Sequence, residues 1–279
     1  MEIQALRARL GEIAGIPDRQ WLDSLSERKK KELEFHDRDR DRKQVAQLDQ
    51  DTYERFYGNR KYYQATGLSK AHVDGWIASN APGKVFLDYA CGNGENALKA
   101  ARAGASLSIG IDISRVSVVN ATEDARSQGL SANTVFVQAD AENTQLPDSS
   151  VDTIICSGML HHLDLSFAFP ELRRILAPGG KILAVEALDY NPLIKLYRKL
   201  TPDMRTEWEK AHILDLRDLQ FAARFFDVRD IRFWHISSIA GAHLSFALPA
   251  LNALDKVLTH IWGIRLMAWI FTFELHSKK

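Results

Sequence analysis

Acidic residues and glycines follow two successive apolar runs of this chain, at positions where they could bind a polar ligand. Asp88 ends the first run and is followed by Gly92 and Gly94, which let the backbone turn tightly and approach a ligand closely. Asp112 ends the next run, 18 residues beyond Gly94. A carboxylate at Asp88 can hold an ammonium group, and one at Asp112 can accept two hydrogen bonds from a ribose diol. The pair predicts a ligand that carries both an amine and a ribose.

Two further apolar runs end in residues that complete such a site. Asp140 can accept a hydrogen bond from an exocyclic amine, and the backbone N–H of Ala141 can donate to a ring nitrogen. Ser157 ends the following run. Each feature alone is weak, because an Asp after a strand often caps a helix. Their order predicts acceptors for an amine and a diol and a clamp for adenine, without a phosphate cradle, which suits S-adenosylmethionine.

Three side chains beside the same cleft could perform acid–base chemistry. His161 and His162 follow Ser157, and an imidazole titrates close to neutral pH. Methyl transfer from a sulfonium is an in-line displacement that needs no metal, but an oxygen nucleophile needs a base for its proton. Glu186 ends the fifth apolar run and could orient a histidine or take the proton itself. The alternatives are that either histidine packs or caps the next helix and that Glu186 pairs with a basic neighbour. We predict His161, His162 and Glu186 as catalytic residues, and no metal site.

The elements that must position these residues form an alternating pattern between residues 84 and 188. Short apolar runs separated by helical stretches predict a parallel sheet covered by helices on both faces. The predicted strands are 85–89, 107–112, 134–140, 151–157 and 181–187, with 227–236 and 266–275 as a sixth and a last strand. In an open α/β sheet the ligand lies beyond the carboxyl ends of the strands, which is where the residues above are found.

Two regions flank this pattern. Residues 1–80 are predicted to form a helical N-terminal extension or lid, and residues 81–279 the main domain, with an apolar insert at about 237–263. The mixed charges of residues 27–43 are typical of a solvated helix face or a mobile segment. The aromatic residues just beyond either pack a helical layer or cover a ligand. The insert either lines a pocket for an apolar acceptor or serves core packing, a dimer contact or an interfacial helix.

Composition limits the classes of partner. The 279 residues include 36 basic and 36 acidic side chains, so the basic excess of a protein that neutralises many phosphates is missing, and no nucleic-acid partner is expected. Cys91 and Cys156 are too few cysteines to staple such a fold and suit a reducing compartment such as the cytoplasm. Asp255, Lys256 and Arg265 interrupt the most apolar stretch, so no transmembrane span is expected, although peripheral contact with a membrane is allowed.

These segments resemble the core of the class I S-adenosylmethionine-dependent methyltransferases, particularly the branch that acts on small molecules such as quinones and sugars. VFLDYACGNG (85–94) resembles that family's first motif, and IGIDIS (109–114) resembles its ribose-binding strand end. QADAENTQLPDSSVDTIICSGMLHHL (138–163) resembles the adenine loop with the fourth strand, and LRRILAPGGKILAVEAL (172–188) resembles the last shared block. The resemblance implies a doubly wound, Rossmann-like α/β sheet of seven mostly parallel strands, the last antiparallel, with S-adenosylmethionine as the cofactor.

The resemblance also implies cofactor contacts, position by position. They fall on Asp88, Gly92, Gly94, Asp112, Ile113, Asp140, Ala141 and Ser157. We add Ala90, Cys91 and Asn96 from the same glycine turn, and Tyr57 and Tyr63 as lid residues over the cofactor.

Other functions compete with methyl transfer. GNGENA (92–97) matches the dinucleotide fingerprint of an NAD-dependent oxidoreductase, but the carboxylate of Asp88 before this turn would repel a pyrophosphate. A non-catalytic cofactor-binding scaffold is a second alternative. A nucleic-acid methyltransferase is disfavoured, because the fourth strand ends in CSGML rather than in an Asn-Pro-Pro-aromatic run. We therefore predict methyl transfer to a small-molecule acceptor, with oxygen slightly favoured as the methylated atom and with a lipid-like, quinone or glycoside acceptor; the sequence defines neither the acceptor nor the oligomeric state.

Overall fold

Seven strands form one sheet at the centre of the structure, a computed structural model that describes residues 2–278. The strands are β1 (Val85–Tyr89), β2 (Leu107–Asp112), β3 (Thr134–Gln138), β4 (Val151–Ser157), β5 (Leu176–Ala187), β6 (Phe226–Trp234) and β7 (Ile270–Ser277). Their order across the sheet is β3-β2-β1-β4-β5-β7-β6. The strands from β1 to β5 pair in parallel, and β7 runs antiparallel to both of its neighbours. This confirms the predicted doubly wound sheet, whose strand order reverses between β1 and β4.

Four strands have bounds that differ from the prediction: β3 ends at Gln138 rather than at residue 140, β6 spans Phe226–Trp234 rather than 227–236, and β5 and β7 begin elsewhere. β5 begins earlier, at Leu176, because this residue already pairs with Val151 of β4, and a register shift accommodates the turn at 178–180. β7 begins later, at Ile270, because Ile264–Met267 forms a 3₁₀ turn before it. Apolar periodicity does not show where ladder pairing starts, so it could not fix these bounds.

Thirteen α-helices surround the sheet within the described residues. The first six are α1 (Ile3–Ala14), α2 (Asp18–Ser24), α3 (Glu27–Arg40), α4 (Arg42–Ala46), α5 (Gln50–Tyr57) and α6 (Gly67–Asn80). The others are α7 (Glu95–Arg102), α8 (Arg115–Ser127), α9 (Leu165–Ile175), α10 (Pro192–Leu200), α11 (Glu207–Ala211), α12 (Leu216–Ala222) and α13 (Leu248–Leu258). Between residues 2 and 278, none of them combines the length and the apolarity needed to cross a bilayer.

The N-terminal helices pack directly on the main domain. Leu6, Leu10 and Ile13 of α1 recur at helical spacing and are buried in the same apolar cluster as residues of β1 to β5. The helical character predicted for residues 1–80 is therefore present, and α1 forms part of the central core.

The charged run at residues 27–43 is neither solvated on all sides nor irregular. It forms α3, capped by the Ser26 hydroxyl, and continues into α4. Glu32 and Leu33 are buried, and Asn120 of α8 donates to the carbonyl of Arg40 at 2.9 Å. Glu27, Lys31, Glu34 and Arg38 form one exposed face of α3, as predicted, but the opposite face is buried against the domain, which charge density along a helix does not show.

Gly110 lets β2 lie directly beneath an aromatic ring. A Cβ atom at this position would lie 2.6 Å from Cε1 of Phe136 on β3 and 2.9 Å from Sγ of Cys91. Real Cβ atoms do not come so close to a neighbour, so Gly110 is required by packing. Cys91 belongs to the glycine turn, and this contact therefore couples the core to the turn.

We expect Gly110→Ala to lower the free energy of unfolding by about 1–3 kcal/mol, because Phe136 and Cys91 must shift to admit the methyl group. Gly75→Ala in α6 is the matched control, since a Cβ atom there meets nothing within 4 Å and alanine favours a helix. Urea unfolding followed by circular dichroism measures both variants. A Gly110→Ala protein as stable as the wild type would show that the ring does not rest on this backbone.

Candidate active site

The carboxyl ends of the central strands enclose a cavity of about 300 Å³. It is lined by most of the predicted cofactor contacts, namely Asp88, Ala90, Cys91, Gly92, Asn96, Asp112, Ile113, Asp140, Ala141 and Ser157. These residues come from the loops after β1, β2, β3 and β4, so the structure brings together positions that are far apart in the sequence. We call this space the inner cavity.

Gly94 does not line the inner cavity. It precedes α7 with a positive φ of 76°, and a Cβ atom there would lie 2.6 Å from the ring of Phe136 and 2.9 Å from Cβ of Ala121. Its role in the structure is to allow the turn and the close packing behind it.

Asp112 joins the end of β2 to the turn after β1. One carboxylate oxygen accepts from the Gly92 N–H at 2.7 Å, and the other accepts from the Ser114 N–H at 2.8 Å. Asp112 is buried, and burial raises the pKa of its carboxyl group in spite of these hydrogen bonds. Each oxygen retains a further lone pair, so Asp112 can still accept hydrogen bonds from a ligand.

Asp88 is a buried carboxyl group beside the same turn. Its Oδ2 accepts from the Ala97 N–H at 3.0 Å in the first turn of α7. Burial raises the pKa of Asp88 to about 7, with the nearby Asp112 acting in the same direction and hydrogen bonds from Ala97 and Asn96 opposing it. A carboxyl group in this state gains strongly from a cationic neighbour, because a positive charge would stabilise its ionised form.

Side chains of α3 close one wall of the inner cavity. Lys29 Nζ lies 2.6 Å from Oδ2 of Asp140 and 2.9 Å from Oε2 of Glu142, and Arg28 also pairs with Glu142. Asp140 is thus held by a lysine before any ligand contact. The cavity is therefore bounded by the N-terminal extension as well as by the strand ends.

These α3 residues are not among the contacts predicted from the sequence, although the sequence contains a signal for them. Arg28, Glu32, His36 and Arg40 recur every four residues, which places them on one helix face, and all four line the inner cavity. The overall density of charge concealed this spacing.

A second, larger cleft of about 760 Å³ adjoins the inner cavity. Ser157, Gly158, His36 and His162 line both spaces, so the two meet at the end of β4. Aromatic side chains from the extension and from the C-terminal region, together with cationic ones, line the cleft; they include Phe35, Phe56, Tyr57, Tyr63, Trp269, Arg38 and Arg60. We call this space the outer cleft.

Tyr57 and Tyr63 line the outer cleft rather than the inner cavity. Tyr57 is buried beneath the Arg60 guanidinium, which lies 4.2 Å from its ring centroid, and Tyr63 packs against Trp269 with ring centroids 5.1 Å apart. Their predicted role as a lid over the cofactor stays a prediction, and both tyrosines lie in the space that adjoins the inner cavity.

Glu186 and His161 form a buried pair where the two spaces meet. One Glu186 oxygen accepts from the backbone N–H groups of Met159 and Leu160 at 2.8 and 2.7 Å, and the other lies 2.6 Å from His161 Nδ1. Burial alone would lower the pKa of His161, but the charge and hydrogen bond of Glu186, aided by Glu209, outweigh it and raise the pKa. Glu186 thereby fixes the imidazole, and between residues 2 and 278 the nearest carboxylate oxygen to Nε2 is Oε1 of Glu209, at 3.9 Å.

His162 occupies a different environment. Its Nδ1 lies 3.0 Å from Oε2 of Glu32 on α3, and its ring contacts those of His161 and His36. Burial, aided by the neighbouring His162 and Arg40, lowers the pKa of His36 well below its ordinary value. His162 therefore connects the strand end to the extension.

Residues 87–184 match the family model described as a methyltransferase domain. The 27-O-demethylrifamycin SV methyltransferase of Amycolatopsis mediterranei is 36% identical over 101 residues, which cover 36% of this chain and 37% of that protein. The ubiquinone/menaquinone biosynthesis C-methyltransferase UbiE of Marinomonas sp. is 35% identical over 107 residues, which cover 37% of this chain and 43% of that protein. Each match spans less than half of the relative's own length.

Among solved structures, the [4+2]-cyclase SpnF is similar in fold. It superposes with a TM-score of 0.53 and 21% identity, covering 74% of this chain and 80% of that chain. This likeness shows the fold alone and not the reaction, since the neighbour of the same fold is named as a cyclase. The matched segment and the two relatives are more informative about function, because all three are named as methyltransferases. The strand-end residues described above lie within that segment. The chain therefore contains a domain of the class I S-adenosylmethionine-dependent methyltransferase family.

Proposed function

We propose that this chain transfers a methyl group from S-adenosylmethionine to an oxygen atom of a small-molecule acceptor. The observation that carries the proposal is the buried His161–Glu186 pair, which lines the outer cleft beside Ser157 and Gly158, the residues at which this cleft meets the inner cavity. When bound, S-adenosylmethionine supplies an electrophilic methyl group on a positively charged sulfur. Methylation at oxygen releases the hydroxyl proton of the acceptor, and this pair can take up that proton.

The residues of the inner cavity fit this cofactor. Asp88 offers a buried carboxyl group that a cation would ionise, and Asp112 offers acceptors for a diol. Ala141 and Asp140 lie beside each other for the adenine, with Lys29 neutralising the acidic pair of Asp140 and Glu142. A volume of about 300 Å³ agrees with a ligand of this size.

His161 is the proposed general base. It accepts the proton of the acceptor hydroxyl at Nε2, and Glu186 orients the ring through Nδ1 and stabilises the imidazolium that forms. Glu186 is 1% exposed and holds two backbone N–H groups, so we assign it a positioning role. His162 is bound to Glu32 and is the second candidate for the base.

The outer cleft supports an acceptor with an aromatic or apolar body. Its aromatic side chains, from Phe35 to Trp269, offer stacking surfaces, and they stand among six cationic and four acidic lining residues. The two relatives are named for a rifamycin and for quinones, which agrees with an acceptor of this kind. A lipid-like compound, a quinone or a glycoside would each fit the outer cleft.

We expect S-adenosylmethionine to bind the wild-type chain in isothermal titration calorimetry, and Asp112→Ala to weaken binding about tenfold or more through the loss of two hydrogen bonds. Asp227→Ala is the matched control, because Asp227 lies at the start of β6, at the opposite end of the sheet. Binding of NAD without binding of S-adenosylmethionine would contradict the assignment of the cavity.

We expect His161→Ala to lower kcat by about 10²–10⁴-fold while the Kd for S-adenosylmethionine changes little, because the general base is lost but the inner cavity is intact. The assay supplies methyl-labelled cofactor with pooled acceptors and locates the label by mass spectrometry. His212→Ala, an exposed histidine on the outer surface, is the control. If His161→Ala kept full turnover, another group would be the general base. If only His162→Ala lost turnover, His162 would be the base.

We expect the activity to rise with pH through the elevated pKa of His161, because the base must be neutral to accept a proton and Glu186 keeps it protonated to a higher pH. Glu186→Gln removes the stabilising charge, so the acid limb of the kcat profile should move to lower pH as the rate falls. Identical acid limbs in both proteins would show that Glu186 does not act through His161.

A further inference from the structure

Exposed apolar side chains are concentrated in two segments of the surface. Of the 15 large apolar residues that are exposed among the described residues, ten lie in α10 or in the segment 244–264. The most exposed are Phe246, Trp262 and Leu193, at 85%, 84% and 74%. Scattered single exposures are ordinary on a protein surface, but such a concentration requires an explanation.

The exposed face of α10 combines leucines with basic residues. Leu193, Leu196 and Leu200 are spaced by three and four residues, which places them on one face of the helix. Lys195 and Lys199 are exposed beside them, and the helix sequence PLIKLYRKL contains no acidic residue. Lys195 pairs with Asp189, which precedes the helix, at 2.9 Å, whereas Lys199 makes no ion pair within the described residues.

The segment around α13 has the same chemistry. Leu254, Val257 and Ile261 are exposed at helical spacing. The only acidic residue between 244 and 264 is Asp255, which is 1% exposed and points inward. Its carboxylate accepts from the backbone N–H groups of residues 236, 237 and 238, at 3.2, 2.7 and 3.0 Å. The outward surface therefore carries apolar side chains and Lys256, without an exposed acid.

The two segments are neighbours beside the outer cleft. The ring of Tyr62 lies 5.5 Å from that of Tyr197 in α10 and 5.6 Å from that of His243, which directly precedes the second segment. Asn191, before α10, donates to the carbonyl of Met267 at 2.7 Å. Tyr63, next to Tyr62, lines the outer cleft. A partner bound at α10 and at the segment 244–264 would therefore lie next to the outer cleft.

We propose that α10 and the segment 244–264 form a surface that binds the interface of a bilayer containing anionic phospholipids. Leucines, Phe246 and Trp262 would enter the boundary between headgroups and acyl chains, and lysines at their side would meet lipid phosphates. A second copy of the chain fits less well, because a two-fold contact would set the same apolar and basic surface against itself without acidic partners. The inference stands apart from the proposed methyl transfer, since it needs neither the inner cavity nor His161.

The test is flotation of the full chain with vesicles of phosphatidylcholine alone or mixed equally with phosphatidylglycerol. The wild type should bind the mixed vesicles, with weaker binding at high salt. The double variants Leu193→Glu/Leu196→Glu and Phe246→Glu/Trp262→Glu should each reduce binding about tenfold or more. Lys199→Glu/Lys256→Glu should reduce binding to the mixed vesicles most. All the substituted side chains are exposed, and thermal unfolding verifies that the variants are folded.

The matched control is Phe167→Glu in α9, because Phe167 is 60% exposed but lies outside both segments. It should bind vesicles as the wild type does. Equal binding by all the variants, or no binding by the wild type, would overturn the proposal. A dimer in light scattering that the same substitutions dissociate, without vesicle binding, would overturn it in favour of a second copy. Cofactor affinity should be unchanged in every variant, which separates this result from the proposed function.

Discussion

Buried carboxylates at the strand ends link the loops of the active site to one another. Asp112 of β2 accepts from the turn after β1, Asp88 accepts from the start of α7, and Glu186 of β5 accepts from the turn after β4. Each carboxylate is removed from water and is satisfied by backbone N–H groups, so the backbone of each turn is fixed by a side chain of a strand end. The shape of the inner cavity and the orientation of His161 both depend on this arrangement.

The main domain and the N-terminal extension contribute different residues to the inner cavity. Strand-end residues line one side of the inner cavity and offer hydrogen-bond acceptors to a ligand. Helix α3 lines the other side with Arg28, Lys29 and His36. His162 joins the two parts through Glu32. The inner cavity thus combines residues of the matched segment 87–184 with residues of α3, whereas the outer cleft is built mainly from residues outside that segment, including Tyr57, Tyr63 and Trp269.

The sequence was sufficient to predict the sheet from β1 to β5 and most of the inner cavity. Apolar runs and glycine turns are local signals, and the carboxyl ends of parallel strands must meet at one edge. The start of β7 and the position of Tyr57 and Tyr63 were beyond such signals, because both depend on how distant segments pair and pack. The four-residue spacing from Arg28 to Arg40 is visible in the sequence and indicates one helix face. It does not show that this face lines the inner cavity, because that depends on where α3 packs.

The extension is attached by two kinds of contact with different physical properties. At α1 it is held by apolar side chains buried with the central sheet, and separating them would expose hydrocarbon to water. At α3 it is held largely by ion pairs, whose members regain hydration when they part. Opening the second contact therefore costs less free energy than opening the first, because hydration of the separated charges offsets part of the loss. A solute could reach the interior by displacing α3 while α1 remained anchored, so ligand exchange would not require the chain to unfold.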